Sequence, residues 1–239
     1  MGALSRLLIL RERVEGERTA ALVAELGFQP VCLPVETVIA LQPNLKPEDF
    51  AGFLVTSRHA VDWLTDNYTG TIKPVLAVGS GTAQKLREAG FVNVEQAEGD
   101  GVSLAKLVAS RQWGGRLLYA AGHIRRPDFE QRLASENIGF VTAEVYDVQT
   151  SLPDKRHIED ALGTPVAGVL LLSAAQAHTF GELVKRHRKL LEPLPMVFCL
   201  SGRIAAELPN EISANVAISD RPDLESLLAL LQSYRCRMQ

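Results

Sequence analysis

The stretch Phe53-Leu-Val-Thr-Ser57, followed after a helical segment by Val75-Leu-Ala-Val-Gly79-Ser-Gly-Thr82, decides the fold, because the chain repeats its pattern further on. Around Val169 the sequence runs Val-Leu-Leu-Leu-Ser173, then an amphipathic segment, then Met196-Val-Phe-Cys-Leu-Ser201-Gly202. Each copy is an apolar run ending in a hydroxyl residue, a helical segment, a second apolar run ending in Ser or Gly, and another helical segment. Short, wholly apolar runs alternating with amphipathic ones read as strands buried on both faces, hence as parallel sheets wrapped by helices. Repetition on this scale implies two similar α/β lobes, with a ligand cleft between them faced by the strand-end loops.

Working outward, Arg6-Leu-Leu-Ile-Leu10 reads as a first buried strand, and Glu15–Leu26 as a helix stopped by Gly27. Gln29–Glu36 reads as a second strand, in which Pro30 and Pro34 argue for an edge or a crossover. In the first copy, strands are expected at Ala51–Val55, Val75–Val78 and Asn93–Ala97. Helices are expected at Arg58–Asp66, Thr82–Ala89 and Ser103–Ser110, the last capped by Ser103 or Gly101. Arg116–Ala120 and Ile138–Asp147 read as strands flanking a Pro127–Glu136 helix. Beyond them come helices at Asp154–Leu162, Ala174–His187, Ile204–Leu208 and Leu224–Ser233, with strands at Gly168–Leu172, Pro195–Leu200 and Ala217–Ser219.

Arg6-Leu-Leu-Ile mirrors Arg116-Leu-Leu-Tyr, and Gly27-Phe28 mirrors Gly139-Phe140, so the duplication includes the opening strand and helix. Two arrangements fit. The halves are contiguous, or the lobes are swapped, with 1–35 plus 150–239 in one and 38–147 in the other. Pro34, out of place in a central strand, favours the swapped form, with Pro34–Val38 and Tyr146–Thr150 as crossing connections.

A net charge of −3 supplies no field that would steer a polyanion, so nucleic acid is not an expected partner. Three cysteines without regular spacing, two of them (Cys32 and Cys199) inside apolar runs expected to bury them, suit a reducing cytoplasm. Leu7-Leu-Ile-Leu10 is too short for a signal peptide's apolar region, and Met1-Gly2 lacks the sixth-position hydroxyl of a myristoylation motif, Arg6 standing there. No run reaches the roughly 18 apolar residues of a membrane span.

Gly79-Ser80-Gly81-Thr82 joins a strand to a helix and offers backbone N–H groups to a carboxylate or phosphate, unless Thr82 is simply the helix cap. It is neither a dinucleotide fingerprint, since Gln84 stands at the third glycine, nor a P-loop. Thr56, Ser57 and His59 follow one buried strand, and Ser173 holds the place of Ser57 in the second copy. Neither serine lies in a Gly-x-Ser-x-Gly elbow, so serine nucleophilic chemistry is not expected. No histidine has metal-ligand spacing to a Cys or carboxylate. Tyr146 interrupts the apolar pattern of its strand, as half-buried packing or as a proton donor. Arg11, Arg13, Arg125 and Arg126 follow the opening strand of each repeat, as solvated surface or as anion contacts.

Taken together, the segments resemble the uroporphyrinogen-III synthase family. The carriers are Leu54-Val-Thr-Ser-Arg-His-Ala-Val61, Val75-Leu-Ala-Val-Gly-Ser-Gly-Thr-Ala83, Glu98-Gly-Asp-Gly-Val-Ser-Leu104, Gly122 with Arg125 and Arg126, and Glu144-Val-Tyr146. The resemblance implies an α/β fold of two flavodoxin-like lobes with parallel sheets, joined by a two-stranded connector, and no cofactor and no metal. It implies a cytoplasmic monomer that converts hydroxymethylbilane to uroporphyrinogen III with loss of water and inversion of ring D, receiving its substrate from hydroxymethylbilane synthase. Loss of the hydroxymethyl oxygen gives an azafulvenium cation, ring D attacks it to form a spiro intermediate, and that intermediate fragments and recloses.

Carried over by position, Tyr146 is the catalytic residue that helps the hydroxyl leave. Ser57 and Thr82 are carried over in the same way as substrate contacts, and the further contacts expected from their places at strand ends and turns are Arg11, Thr56, His59, Gly79, Ser80, Ser103, Gly122, Arg125, Ser173, Ser201 and Gly202. Two departures stand out. The family's second glycine turn, Gly-x-x-Thr-Ala, is Ser201-Gly-Arg-Ile204-Ala205 here, and its second Thr-Ser is Leu172-Ser173. They motivate an alternative, a non-catalytic two-lobed tetrapyrrole-binding protein or regulator. A flavin-binding protein is a third, resting on lobe topology alone.

Overall fold

The computed structural model describes residues 5–45 and 50–238; Met1-Gly2 lies outside them. In chain order the elements begin β1 (Arg6–Ile9), α1 (Arg13–Glu25), β2 (Gln29–Cys32), β3 (Glu36–Ala40), β4 (Gly52–Val55) and α2 (Val61–Tyr68). There follow β5 (Val75–Ala77), α3 (Ser80–Glu88), β6 (Val94–Gln96), α4 (Gly101–Ala109), β7 (Leu117–Gly122), α5 (Asp128–Ser135) and β8 (Phe140–Thr150). The chain ends with α6 (Lys155–Leu162), β9 (Gly168–Leu171), α7 (Ala174–His187), β10 (Met196–Cys199), α8 (Gly202–Ala205), β11 (Val216–Ile218) and α9 (Leu224–Met238).

Two sheets result, ordered β11-β10-β9-β1-β2 and β3-β8-β7-β4-β5-β6. The β1–β2, β1–β9, β9–β10 and β10–β11 pairings are parallel, as are β4–β5, β4–β7, β5–β6 and β7–β8. Counted from β2 the first follows the doubly wound order 2-1-3-4-5, and β8-β7-β4-β5-β6 of the second is a circular permutation of it with β3 added beyond β8; strand order reverses between β1 and β9 and between β7 and β4. Loops at the carboxyl ends of the strands beside such a reversal are where doubly wound sheets bind ligands.

The chain divides into two compact units, residues 1–37 with 149–239 and residues 38–148. It changes unit inside β3 and inside β8, which are neighbours in the second sheet. The apolar runs are explained by strands covered on both faces. In the first unit Leu8, Val169 and Val197 enter one cluster with Phe180, while Leu7, Ile9, Leu170 and Phe198 enter the other with Leu227. In the second, Phe53, Val55 and Leu118 pack one face, and Leu54, Leu117 and Tyr119 pack the other with Phe129.

Four expectations need correction. The Gln29–Glu36 run is two strands, because Pro34 carries no N–H for a ladder and the chain leaves β2 at Cys32 before β3 begins at Glu36. Cys32 is exposed rather than buried, since β2 is the edge strand of its sheet. Thr82 does not cap α3: Gly79, extended at φ −166°, takes that place, and Thr82 is buried one turn inside. The cap of α4 is Asp100, not Ser103 or Gly101, in a capping box with Ser103.

Candidate active site

The second unit gathers most of the polar residues singled out above at the carboxyl edge of its sheet, beside the β7/β4 reversal. The hydroxyls of Thr56 and Ser57 follow β4, and each is backed by a tyrosine. Thr56 Oγ1 lies 2.9 Å from the phenol oxygen of Tyr119, a residue only 3 % exposed, whose ring meets Phe129 edge-on at 5.0 Å. Ser57 Oγ accepts the His59 N–H at 3.3 Å and is hydrogen-bonded to the phenol of Tyr146.

A β-bulge aims Tyr146. Ala121 pairs with Glu144, but the next residue, Gly122, pairs with Tyr146, so β8 carries one extra residue there. The phenol lies directly over Gly122: a Cβ there would stand 2.7 Å from Tyr146 Cζ and 2.9 Å from Oη. The ring also meets His59, with centroids 5.3 Å apart and planes tilted 60°. Burial raises the Tyr146 pKa, and the Ser57 hydrogen bond only partly opposes it, so the phenol carries its proton at neutral pH.

One strand over, Gly79 opens α3 without a side-chain cap, and Ser80, the first residue of the helix, is exposed. The first amides of α3 are therefore not occupied by a capping side chain. Gly79 also lets a neighbouring turn come close, since a Cβ there would lie 3.1 Å from Gly99 Cα. The Arg58 guanidinium covers Gly81, where a Cβ would stand 2.8 Å from Arg58 Cζ. Its only signal in the sequence was its place after Thr56-Ser57. The Ser103 hydroxyl is engaged in its own turn, accepting the Glu98 N–H at 3.2 Å and the Asp100 N–H at 3.4 Å and donating to the Asp100 carbonyl at 2.9 Å. The Ser103 N–H holds the Asp100 carboxyl below its ordinary pKa.

Arg125 is held by the ends of β7 and β8 and by α5. It donates to the Gly122 carbonyl at 3.0 Å and pairs with Glu144 at 2.8 Å and Glu130 at 3.2 Å. Glu144 also meets His123 Nδ1 at 2.7 Å, and that contact raises the His123 pKa.

In the first unit the corresponding edge is arranged differently. Arg11 pairs with Glu15 at 3.3 Å and donates to Thr19 Oγ1 at 3.0 Å. Ser173 caps α7 through the Gln176 N–H at 3.1 Å, but its own hydroxyl donates to Glu36 Oε1 at 3.0 Å. Gln176, 2 % exposed, donates to Glu36 Oε2 at 2.9 Å and accepts the Leu172 N–H at 2.9 Å. The counterpart of Ser57 thus already holds the chain's own carboxylate, a partner no spacing in the sequence announces. Ser201 precedes the single-turn α8 without a side-chain capping bond, and Gly202 is exposed.

Two sheets with a strand-order reversal, and a hydroxyl-rich strand edge around a partly buried, protonated tyrosine beside one of them, describe a doubly wound α/β protein. The family profile described as uroporphyrinogen-III synthase HemD matches residues 17–229. The chain belongs to the uroporphyrinogen-III synthase family, a family of cyclising lyases acting on a tetrapyrrole. The fold is similar to that of uroporphyrinogen-III synthetase from Helicobacter pylori 26695, at 18 % identity and a TM-score of 0.65, covering 97 % of this chain and 100 % of that one. It is also similar to a mutant uroporphyrinogen III synthase from the extremely thermophilic bacterium Thermus thermophilus, at 23 % identity and a TM-score of 0.55, covering 99 % of each chain. No curated protein is a significant match in sequence. Among the described residues no cluster of three or more His, Cys, Asp or Glu side chains could hold a metal ion, and no helix is long and apolar enough to cross a membrane.

Proposed function

We propose that the chain converts hydroxymethylbilane to uroporphyrinogen III as a carbon–oxygen lyase, with Tyr146 as the general acid. The observation that carries this is the Tyr146 phenol, partly buried, protonated, bonded to Ser57 and lying across Gly122 at the strand-order reversal. Its proton passes to the hydroxymethyl oxygen as the C–O bond breaks, releasing water and leaving an azafulvenium cation. Ring D attacks through its substituted carbon, and the spiro intermediate fragments and recloses at the other carbon. The C–H proton lost as ring D regains aromaticity returns to the phenolate, so the enzyme ends unchanged. Assistance of this kind contributes about 10²–10⁴-fold, and holding the bilane in one folded conformation supplies much of the rest.

The substrate's carboxylates are gripped by Thr56, Ser57, His59 and the Gly79-Ser80 turn, with the Arg58 guanidinium beside it. Gly122 admits the phenol. Thr82, Ser103, Arg125, Arg11 and Ser173 act through the loops they brace, each being buried or bonded to the chain's own groups. Ser201 and Gly202 contribute backbone donors. A substrate that closes unaided to the wrong isomer favours direct hand-over from the enzyme that makes it, in the reducing cytoplasm that three free cysteines suit.

The test is product identity with bilane generated in situ, together with Tyr146→Phe. The variant is expected to form the III isomer about 10–100-fold more slowly. An unchanged rate reduces Tyr146 to packing.

A further inference from the structure

The internal repeat supplies a control for one polar pair. In the second unit β7 lies against β4 with Leu118 opposite Phe53 and Tyr119 opposite Leu54. In the first unit β1 lies against β9 with Leu8 opposite Val169 and Ile9 opposite Leu170. Tyr119 therefore corresponds to Ile9, and Thr56, two residues beyond Leu54, corresponds to Leu172. Ile9 is fully buried, and Leu172 packs against the same apolar cluster. The same strand order is built once with Ile and Leu at these positions and once with Tyr and Thr, so the sheet topology does not by itself call for a hydrogen bond there. Burying a phenol is unfavourable unless its oxygen is satisfied, so the polar version carries a cost that the apolar version avoids.

From this we infer that Tyr119 is a positioning residue for substrate binding, acting through Thr56. The inference rests on the proposed reaction for its substrate class. Tyr119 sits behind the strand edge, 3 % exposed and fixed by Phe129, whereas Thr56 is only partly buried. Burial raises the Tyr119 pKa more than the Thr56 bond lowers it, so the phenol keeps its proton. A phenol is a stronger donor than an alkyl alcohol, and when it donates to Thr56 Oγ1 it turns the threonine's own proton outward. The outward proton meets an anionic oxygen, which in this substrate class is a ring carboxylate. In the first unit Leu172 can make no such bond.

The test uses the whole chain and two readouts: KM and kcat for bilane generated in situ, and equilibrium binding of uroporphyrin III, an octacarboxylate that needs no turnover. Tyr119→Phe keeps the ring and its packing and removes only the oxygen. It is expected to raise KM and the uroporphyrin Kd by about five- to twenty-fold, with kcat within about two-fold and the urea midpoint unchanged. Thr56→Val is expected to do the same, and the double variant no more than Thr56→Val alone. Tyr119→Ile with Thr56→Leu, which copies the first unit, is expected to fold and to bind as weakly. Unchanged KM and Kd in Tyr119→Phe, or effects of the two substitutions that add, overturn the inference. A wild-type chain that makes only the I isomer refutes the proposed reaction instead, and the binding series still decides the role of Tyr119.

Discussion

Gly122→Ala places one methyl group where the Tyr146 phenol lies. The added Cβ would stand 2.7 Å from Cζ and 2.9 Å from Cε2 and Oη, against the 3.4–4 Å of ordinary contact. The ring must withdraw by roughly 1 Å, and it cannot do so without disturbing its bond to Ser57 and its packing on His59. A misplacement of about 1 Å at a reacting group costs on the order of 10²-fold in rate. Overpacking of this kind costs about 1–3 kcal/mol of stability, so the variant is expected to remain folded in the assay. Bilane is generated in situ, the products are oxidised and separated, and III-isomer formation is followed against the spontaneous I isomer. The expected result is a kcat lowered by about 30- to 100-fold with KM within about three-fold, matching Tyr146→Phe, and no further loss when the two changes are combined. A wild-type rate in Gly122→Ala, or a double variant much slower than either single one, refutes the geometric argument.

Two further outcomes follow from the titrating groups. Glu144, with a smaller contribution from Asp147 and against Arg125, lifts the His123 pKa above its ordinary 6.5; its stabilising effect is therefore complete below 6.5 and lost as the pH rises through the raised value. In Glu144→Gln, an NMR titration of His123 is expected to fall back towards 6.5, and an unmoved titration contradicts the contact. Burial pushes the Cys199 thiol up to about 12, so in the native protein it is expected to resist a thiol reagent that labels the exposed Cys32 and Cys236, becoming reactive only on unfolding; prompt native labelling of Cys199 contradicts its burial.

Strand and helix placement was legible because both sheets are covered on both faces, so each central strand is a short apolar run. The prolines marked Gln29–Glu36 as an edge or crossover, but neither the break after Cys32 nor the new strand from Glu36 was legible, because the residues of β3 are mostly exposed and form no buried apolar run. Helix starts were misread by a few residues where a backbone in extended geometry, as at Gly79, replaces a side-chain cap. Within the site, Thr56, Ser57, His59, Gly122 and Tyr146 stood out because each ends a strand or breaks its pattern. Their relations did not. The bulge at Gly122 depends on cross-strand register, and the Glu36 carboxylate reaches Ser173 across 137 residues. Arg125 looked available for anions because Glu144 reaches it only through the pairing of β7 with β8, and Glu130 only through the turn that leads into α5.

The central claim is that the hydroxyl-rich edge around Tyr146 turns an otherwise spontaneous closure into one with ring inversion. The ratio of III to I isomer formed from bilane with and without the protein measures this directly. The expected result is a product dominated by the III isomer when the wild-type chain is present. A product that stays the I isomer at every protein concentration contradicts the claim.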